Sequence, residues 1–173
     1  MRWCKTFRRA LDVGSHVGLH SFYLAQKFER VESFEPVAEH RECFALNVTA
    51  ENVTLHACAL GERVGSVSIH TKDGSSGDSW IDGEGDIPLK RLDDFEFDDV
   101  SYIKLDCEGG ELAALRGGEA TVLRCRPTIM CEQKPRVLGE RGIKGTPALD
   151  YLLSLGMKVR EEKSGDYVLT FDD

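Results

Sequence analysis

The chain has 173 residues, of which 41% are hydrophobic and 30% are charged, as expected for one globular domain spanning residues 1–173. Its net charge of −8 argues against nucleic acid or an anionic membrane as a partner, because both require a basic face. No apolar run is long enough for a membrane-spanning helix, and residues 1–5 lack the apolar core of a secretory signal, so we expect a cytoplasmic protein.

The first half of the chain alternates apolar runs with segments whose apolar residues have helical spacing. In chain order, these predict a strand, a helix, a strand, a helix and a third strand, over residues 9–13, 19–28, 31–35, 39–47 and 53–60. The apolar positions at helical spacing are Leu19, Phe22, Tyr23, Ala25 and Phe28 in the first helix, and Cys43, Phe44 and Leu46 are expected to face inward in the second. An added strand is predicted over residues 66–70. Residues 72–85 are rich in Gly, Ser and Asp and predict a mobile loop, in which Trp80, Ser75 and Ser76 are either substrate contacts or surface residues.

The second half continues the alternation. It predicts an ordered segment over residues 87–92, a strand over 100–106, a helix over 111–123 broken at Gly117-Gly118, and a strand over 127–132. A polar loop over 134–145, a helix over 148–155, and a hairpin of 157–161 with 167–171 follow. Such alternation predicts a doubly wound, mostly parallel α/β sheet of Rossmann-like class, with the terminal hairpin as an antiparallel edge.

Cysteines and basic residues suggest no separate site. No two cysteines are spaced as C-x-x-C and no histidine pair has zinc spacing, so we expect reduced thiols and no structural zinc. The basic cluster of Arg2, Lys5, Arg8 and Arg9 is most simply a solvated entry to the first strand.

The turn after the first strand carries the strongest functional motif. It reads Asp12-Val-Gly-Ser-His-Val-Gly18, where Gly14 permits a tight turn and Gly18 lets the helix begin close to the sheet. Glu35 ends the second strand, where its carboxylate is placed to accept the hydroxyls of an adenosine ribose. Together these features predict an adenosine-binding site.

The spacing of the glycines distinguishes between adenosine cofactors. A dinucleotide requires G-x-G-x-x-G, and this chain has His16 where the middle glycine would admit a pyrophosphate. The loop suits a smaller anion, such as the carboxylate of a methionine group, with Asp12 near the amino group. S-adenosyl-L-methionine is therefore the expected cofactor, and a dinucleotide-dependent oxidoreductase is the disfavoured alternative.

Several segments together resemble the FkbM-type methyltransferase family. They are Asp12–Gly18 as quoted, Ser33-Phe-Glu-Pro36, Cys58-Ala-Leu-Gly61, Leu92-Asp-Asp-Phe95, Tyr102-Ile-Lys-Leu-Asp-Cys-Glu-Gly109 and Cys131-Glu132. The resemblance covers roughly residues 10–135 and implies a class I methyltransferase fold, S-adenosylmethionine, and methyl transfer, often to an oxygen of a sugar or small metabolite. It implies cofactor contacts at Asp12, Gly14, Glu35 with Pro36, and the turn at Ala59; family members usually carry more chain before the first strand.

Acidic residues at two neighbouring strand ends are the candidates for catalysis. Lys104, Asp106 and Glu108 alternate onto one face, and Glu132 ends the next strand. An alcohol acceptor needs a proton acceptor, for which Asp106 or Glu132 is favoured. Asp106 also borders the predicted cofactor site. Lys104 is either catalytic or an ion-pair partner, and Glu108 is either part of the cluster or a cap for the following helix. Repulsion within the cluster requires Lys104, the sulfonium, a raised pKa or a metal to compensate it.

Two readings of the function remain open from the sequence. The first is a methyltransferase acting on a small-molecule or sugar-like acceptor, with its oligomeric state undetermined. The second is a non-catalytic module that binds S-adenosylmethionine or adenosine and needs a partner. Methylation of base nitrogens is disfavoured, because the segment after the 100–106 strand, Asp106-Cys-Glu-Gly109, is not the Asn/Asp-Pro-Pro-aromatic motif of such enzymes.

Overall fold

The computed structural model describes residues 2–71, 79–81 and 83–172. In chain order its strands are β1 (Arg9–Val13), β2 (Arg30–Phe34), β3 (Val53–His56), β4 (Ala59–Leu60), β5 (Gly65–Val67), β6 (Ile69–Thr71), β7 (Ser79–Ile81), β8 (Ile87–Lys90), β9 (Val100–Leu105), β10 (Thr128–Glu132), β11 (Met157–Lys163) and β12 (Asp166–Phe171). The helices are α1 (Leu19–Ala25), α2 (Ala38–Asn47), α3 (Glu111–Arg116), α4 (Glu119–Cys125), α5 (Pro135–Glu140) and α6 (Pro147–Ser154), with a 3₁₀ turn at Leu92–Phe95.

A seven-stranded sheet forms the centre of the fold. Its order is β11-β12-β10-β9-β1-β2-β3, with parallel pairing from β10 through to β3 and antiparallel pairing at the β11–β12 edge. The predicted mixed α/β fold with a mostly parallel sheet and a terminal hairpin is therefore confirmed. β1 and β9 are buried along their whole length and lie side by side at the centre of the strand order. Because they are parallel, their carboxyl ends lie together at the middle of one edge of the sheet.

Two helix faces differ from the pattern in the sequence. On α1, Leu19, Phe22 and Tyr23 are exposed, and the sheet-facing positions belong to Ser21 and Leu24. Ser21 is buried because its hydroxyl donates to the carboxylate of Asp12, a buried charge that requires a donor. On α2 the inward residues are His40 and Phe44, whereas Cys43 and Leu46, expected inward, are exposed.

The segment between β3 and β8 departs most from the predicted elements. The strand predicted over residues 53–60 is two strands, because the chain turns where the Cys58 N–H donates to the His56 carbonyl, and β4 joins a separate sheet of order β4-β8-β5. The strand predicted over 66–70 is likewise divided into β5 and β6. β6 pairs with β7, which lies inside the predicted loop 72–85, while Ser75 and Ser76 lie outside the described residues.

The predicted polar loop 134–145 contains α5, which begins at Pro135, a residue suited to the first helical turn. The interruption at Gly117-Gly118 is confirmed as the boundary between α3 and α4. Within the described ranges, none of the helices has the length and apolar character needed to cross a bilayer.

Candidate functional site

The turn after β1 fits against the end of β9 only because residue 14 is glycine. Gly14 has φ +77°, and a Cβ there would lie 2.0 Å from the Asp106 carbonyl oxygen. Gly18, at φ +91°, begins α1 against α2, where a Cβ would lie 2.6 Å from a methyl carbon of Val48. Both predicted glycines therefore set the shape of the turn, Gly14 where it packs against β9 and Gly18 where α1 begins.

A buried lysine fixes this turn to the central strands. The Nζ of Lys104 donates to the Gly14 carbonyl at 2.8 Å and lies 3.2 Å from Asp12 Oδ1 and 3.4 Å from Asp106 Oδ2. Burial alone would lower the pKa of Lys104, but the charges of Asp12 and Asp106 outweigh it and the pKa is raised. Lys104 is thus a protonated ion-pair partner, the second of its two predicted roles, and is not suited to act as a base.

The carboxylate of Asp12 is enclosed in the protein. Its Oδ2 accepts a hydrogen bond from Ser21 Oγ at 2.6 Å, and Ser21 in turn contacts Ser33 Oγ at 2.8 Å. Asp12 has no exposed surface. The contact between Asp12 and a cofactor amino group, expected from the sequence, is therefore not available in this structure, and Asp12 acts through Lys104.

Glu35 is held at the end of β2 by backbone donors. Its Oε2 accepts the His16 N–H at 2.8 Å and its Oε1 accepts the Val37 N–H at 2.9 Å, with His40 Nδ1 at 3.2 Å from Oε1. His16 adopts φ +49°, and its ring packs edge-on against His40 at 4.3 Å between centroids. The carboxylate is therefore fixed in orientation, and His16 contributes its N–H to that orientation.

A cavity lies beyond the carboxyl ends of β1, β2 and β9. Open α/β sheets bind their ligands at this position, outside the carboxyl ends of the strands. Of the predicted cofactor-binding residues, those that line it are Gly14, His16, Glu35, Pro36, Ala59 and Asp106. Those that do not line it are Asp12 and Gly18, and the same is true of Lys104 and Glu132 among the catalytic candidates.

The three candidate carboxylates come together at the edge of this cavity. Carboxylate oxygens of Asp106, Glu108 and Glu132 lie within 4.8 Å of one another. Each has its own cation, because Lys104 contacts Asp106, Lys134 contacts Glu132, and Arg141 Nη2 lies 2.8 Å from Glu108 Oε2. Basic side chains therefore compensate the repulsion that the sequence predicted.

Glu132 has the clearest electrostatic perturbation in the cluster. Burial raises its pKa to about 7, and the negative charge of Asp106 adds to the rise, while the hydrogen bond from Lys134 opposes it. A carboxyl group with this pKa exchanges its proton near neutral pH, which is the property required of a general base. Asp106, the other candidate base, lines the cavity, and its carboxylate lies within 4.8 Å of that of Glu132.

Two side chains that organise the site were not identified from the sequence as such. Glu111 Oε1 accepts the N–H groups of Cys107 (2.9 Å) and Gly109 (3.1 Å), so the capping role considered for Glu108 belongs to Glu111. Gln133, almost fully buried, donates from Nε2 to Glu111 and accepts the N–H of Ala148 at 3.0 Å. The role of Glu111 could have been predicted, because an acid in the first turn of a helix is suited to accept the free N–H groups there. No feature of the sequence predicted the role of Gln133.

The hairpin of β6 and β7 forms the outer wall of the cavity. Trp80 lines it, with its ring 4.5 Å from that of His70. The Arg141 guanidinium lies 5.1 Å from the centre of the Trp80 ring while it also contacts Glu108. Arg141 therefore connects the hairpin wall to the carboxylate cluster.

The comparison with known families agrees with this geometry. Residues 12–159 match the family described as the methyltransferase FkbM domain. The chain belongs to the FkbM methyltransferase family. Among curated proteins there is no significant match.

Solved structures show the same fold. The FkbM methyltransferase of Methylobacillus flagellatus superposes with a TM-score of 0.65 at 23% identity, over 95% of this chain and 43% of that one. An rRNA methylase from Streptococcus thermophilus gives 0.57 at 10% identity, over 98% and 88%. A Streptococcus mutans protein solved with SAH gives 0.57 at 8% identity, over 96% and 89%. The chain thus spans less than half the length of the FkbM structure it matches.

Four of the six segments through which the sequence resembled the FkbM family contribute to the lining of the cavity, and the segments at residues 92–95 and 131–132 do not. Val13 and Gly14, Phe34 to Pro36, Cys58 to Leu60, and Asp106 to Glu108 all contribute to its lining. As an FkbM-family chain, it therefore has its family motifs concentrated at one end of the sheet, where open α/β folds bind ligands.

Proposed function

We propose that this FkbM-family chain is an S-adenosylmethionine-dependent methyltransferase that methylates an oxygen of a small-molecule or sugar-like acceptor. The observation that carries the proposal is the position of Glu35, which lines the cavity at the end of β2 and whose carboxylate is fixed by the N–H groups of His16 and Val37. Family membership and the SAH found in a structural neighbour support the same cofactor.

The residues around the cavity fit this cofactor. Oε2 of Glu35 accepts the His16 N–H and retains a lone pair for a ribose hydroxyl, since a carboxylate offers about four lone-pair sites, whereas Oε1 contacts both the Val37 N–H and His40 Nδ1. Gly14 lines the cavity and, because it has no Cβ, lets the turn pack directly against the backbone of Asp106. The bound cofactor supplies an electrophilic methyl group on a positively charged sulfur. Glu35 would orient the nucleoside, and Lys104 would hold the turn that shapes the cavity.

Glu132 and Asp106 would act on the acceptor. An alcohol oxygen becomes a better nucleophile as its proton is withdrawn, and a carboxylate with a pKa near 7 can take that proton at neutral pH. Asp106 lines the cavity and lies between Glu132 and the cofactor turn. Its carboxylate would hold the acceptor hydroxyl and pass the hydroxyl proton on to Glu132, which lies behind it, as the methyl group moves from sulfur to the acceptor oxygen.

Calorimetric titration with S-adenosylmethionine, S-adenosylhomocysteine and NAD tests the cofactor. We expect the first two to bind and NAD to fail, because His16 occupies the position where a dinucleotide loop needs glycine.

Release of S-adenosylhomocysteine in the presence of sugar and small-alcohol acceptors tests the reaction. Failure of the first two ligands to bind would reject the proposal, and binding without turnover would favour the non-catalytic module.

Replacing Glu35 with alanine should weaken S-adenosylmethionine binding by about 1.5 to 3 kcal/mol, the contribution of charge-assisted hydrogen bonds. The matched control is Glu39→Ala, which removes the same charge from an exposed position in the first turn of α2. We expect the control to bind normally in the same titration. Equal affinities for the two variants would remove Glu35 from the binding site.

Glu132 should titrate near pH 7, which can be followed by carbon NMR of its side-chain carboxyl. Because its pKa is raised in the folded chain, folding binds a proton there, and this contribution to stability is full below the unfolded pKa and is lost as the pH rises through about 7. Activity should rise over the same interval as the base ionises. Glu132→Gln should abolish both changes, and Glu140→Gln, at an exposed position on α5, is the control.

If Glu132 instead titrated between pH 4 and 5, as ordinary glutamates do, its assignment as the base would be wrong.

A further inference from the structure

A second cleft lies at the opposite edge of the central sheet. It is formed where β9 and β10 begin and β12 ends, with the segment before β1 as its outer wall, and its volume is about 490 Å³. None of the residues that line it lines the candidate methyl-transfer cavity. The cleft is therefore a separate feature of the molecule.

The described residues that line this cleft include three cations and no acid. The cations are Lys5, Arg126 and Arg160, although the chain as a whole carries a net charge of −8. Two acids lie beside the cleft: Asp172 contacts Arg160 Nη2 at 2.6 Å and the ammonium of Lys158, and Glu161 accepts from Trp3 Nε1 at 3.2 Å. Lys5 belongs to the basic cluster seen in the N-terminal sequence, so part of that cluster lies at the cleft.

Aromatic rings hold the guanidinium groups in place. The Arg126 guanidinium lies 4.4 Å from the centre of the Phe171 ring. The ring of Trp3 has two arginines over it, Arg2 at 5.0 Å and Arg160 at 5.8 Å. Guanidinium groups stacked in this way keep their donors in a fixed plane, so less conformational entropy is lost when they bind an anion.

Hydroxyl groups complete the polar lining. Thr6 and Ser101 share a hydrogen bond of 2.8 Å, and Thr170 Oγ1 accepts from Arg160 Nε at 2.7 Å. Thr128 donates to the Trp3 carbonyl at 3.0 Å, which holds the outer wall against the sheet. Guanidinium, ammonium and hydroxyl donors around one cleft are the groups that recognise phosphate oxygens.

We propose that this cleft binds the phosphoryl group of a small phosphorylated metabolite, through Arg126, Arg160 and Lys5. The site is independent of the proposed methyltransferase cavity at the other edge of the sheet. The surrounding hydroxyls suit the sugar or nucleoside portion that carries the phosphate.

The two tryptophans of the chain make the proposal testable by fluorescence, because Trp3 lines the cleft and Trp80 lines the other cavity. In a Trp80→Phe background, Trp3 is the reporter. We titrate this variant with inorganic phosphate, glucose 6-phosphate and AMP, against sodium chloride at equal ionic strength. We expect a saturable change with the phosphates alone, and the better ligand of the last two identifies the carrier of the phosphate.

The double variant Arg126→Gln/Arg160→Gln should raise the phosphate dissociation constant by about tenfold or more, because each charge-assisted hydrogen bond is worth about a decade in affinity. Arg136→Gln is the control, since it removes a similar charge from a side chain that is 82% exposed on α5. Trp3→Phe, which keeps only Trp80, should lose the signal.

Arg126 has φ +49° and contacts the terminal strand, so circular dichroism must show that its variants fold. Lys5→Gln, in the exposed segment before β1, is the second variant and should also weaken binding severalfold. An equal response to sodium chloride, or unchanged affinity in both folded variants, would overturn the proposal.

Discussion

Replacing Lys104 with methionine should destabilise the chain by about 3 to 5 kcal/mol, the usual effect of removing one partner from a buried ion pair. Methionine fills a similar volume, so the loss would come from charge. Without the ammonium, the fully buried carboxylate of Asp12 keeps Ser21 as its one side-chain hydrogen-bond donor within the described ranges, and the Gly14 carbonyl loses the Lys104 donor at 2.8 Å. Urea unfolding followed by circular dichroism measures the effect.

Two companion variants distinguish charge from packing. Lys27→Met, at an exposed position after α1, should change the free energy of unfolding by less than about 0.5 kcal/mol. Adding Asp12→Asn to Lys104→Met should restore part of the lost stability, because the uncompensated charge is then gone. If the double variant were as unstable as the sum of its single variants, charge pairing would not be what Lys104 contributes.

Gly14→Ala should destabilise the chain by about 3 to 5 kcal/mol through two additive causes. The first is the left-handed backbone, at φ +77°. The second is a collision, because the new Cβ would lie 2.0 Å from the backbone oxygen of Asp106, which cannot rotate away. Thermal unfolding measures the stability, and S-adenosylmethionine binding should be lost with the shape of the turn.

Gly142→Ala separates these two causes. Gly142 has φ +74°, almost the same backbone conformation, but a Cβ there meets nothing within 4 Å. We expect this variant to show only the backbone cost, about 1 to 2 kcal/mol. Equal losses at positions 14 and 142 would contradict the close packing of the turn against β9.

The parts of the fold that follow from local pattern were predictable. Strand β1 and the position of Glu35 at the end of β2 could be read from the sequence, because an apolar run followed by a glycine turn and a helix has few other interpretations. The break at Gly117-Gly118 was equally visible. The strand order then places the glycine turn after β1 and the acids after β9 at the same edge of the sheet, as predicted.

The parts that depend on distant partners were not predictable. The inward face of α1 was misassigned because Ser21 is buried by its bond to Asp12, a tertiary contact that no helical pattern records. Asp12 itself was expected at the ligand, and its burial follows from Lys104, 92 positions away, which satisfies it from the neighbouring strand. The role of Gln133 arises only when β10, α3 and α6 meet.

The bond from Lys104 to the Gly14 carbonyl joins groups 90 positions apart, and it bears on how the chain acquires its site during synthesis. When the first hundred residues have emerged, the glycine turn and Glu35 are already made, yet the strand that fixes the turn, β9, is not. Closing so long a loop is a slow, nonlocal step. A nascent chain should therefore become competent to bind ligand only after β9 has inserted beside β1, in the same cooperative event that completes the core.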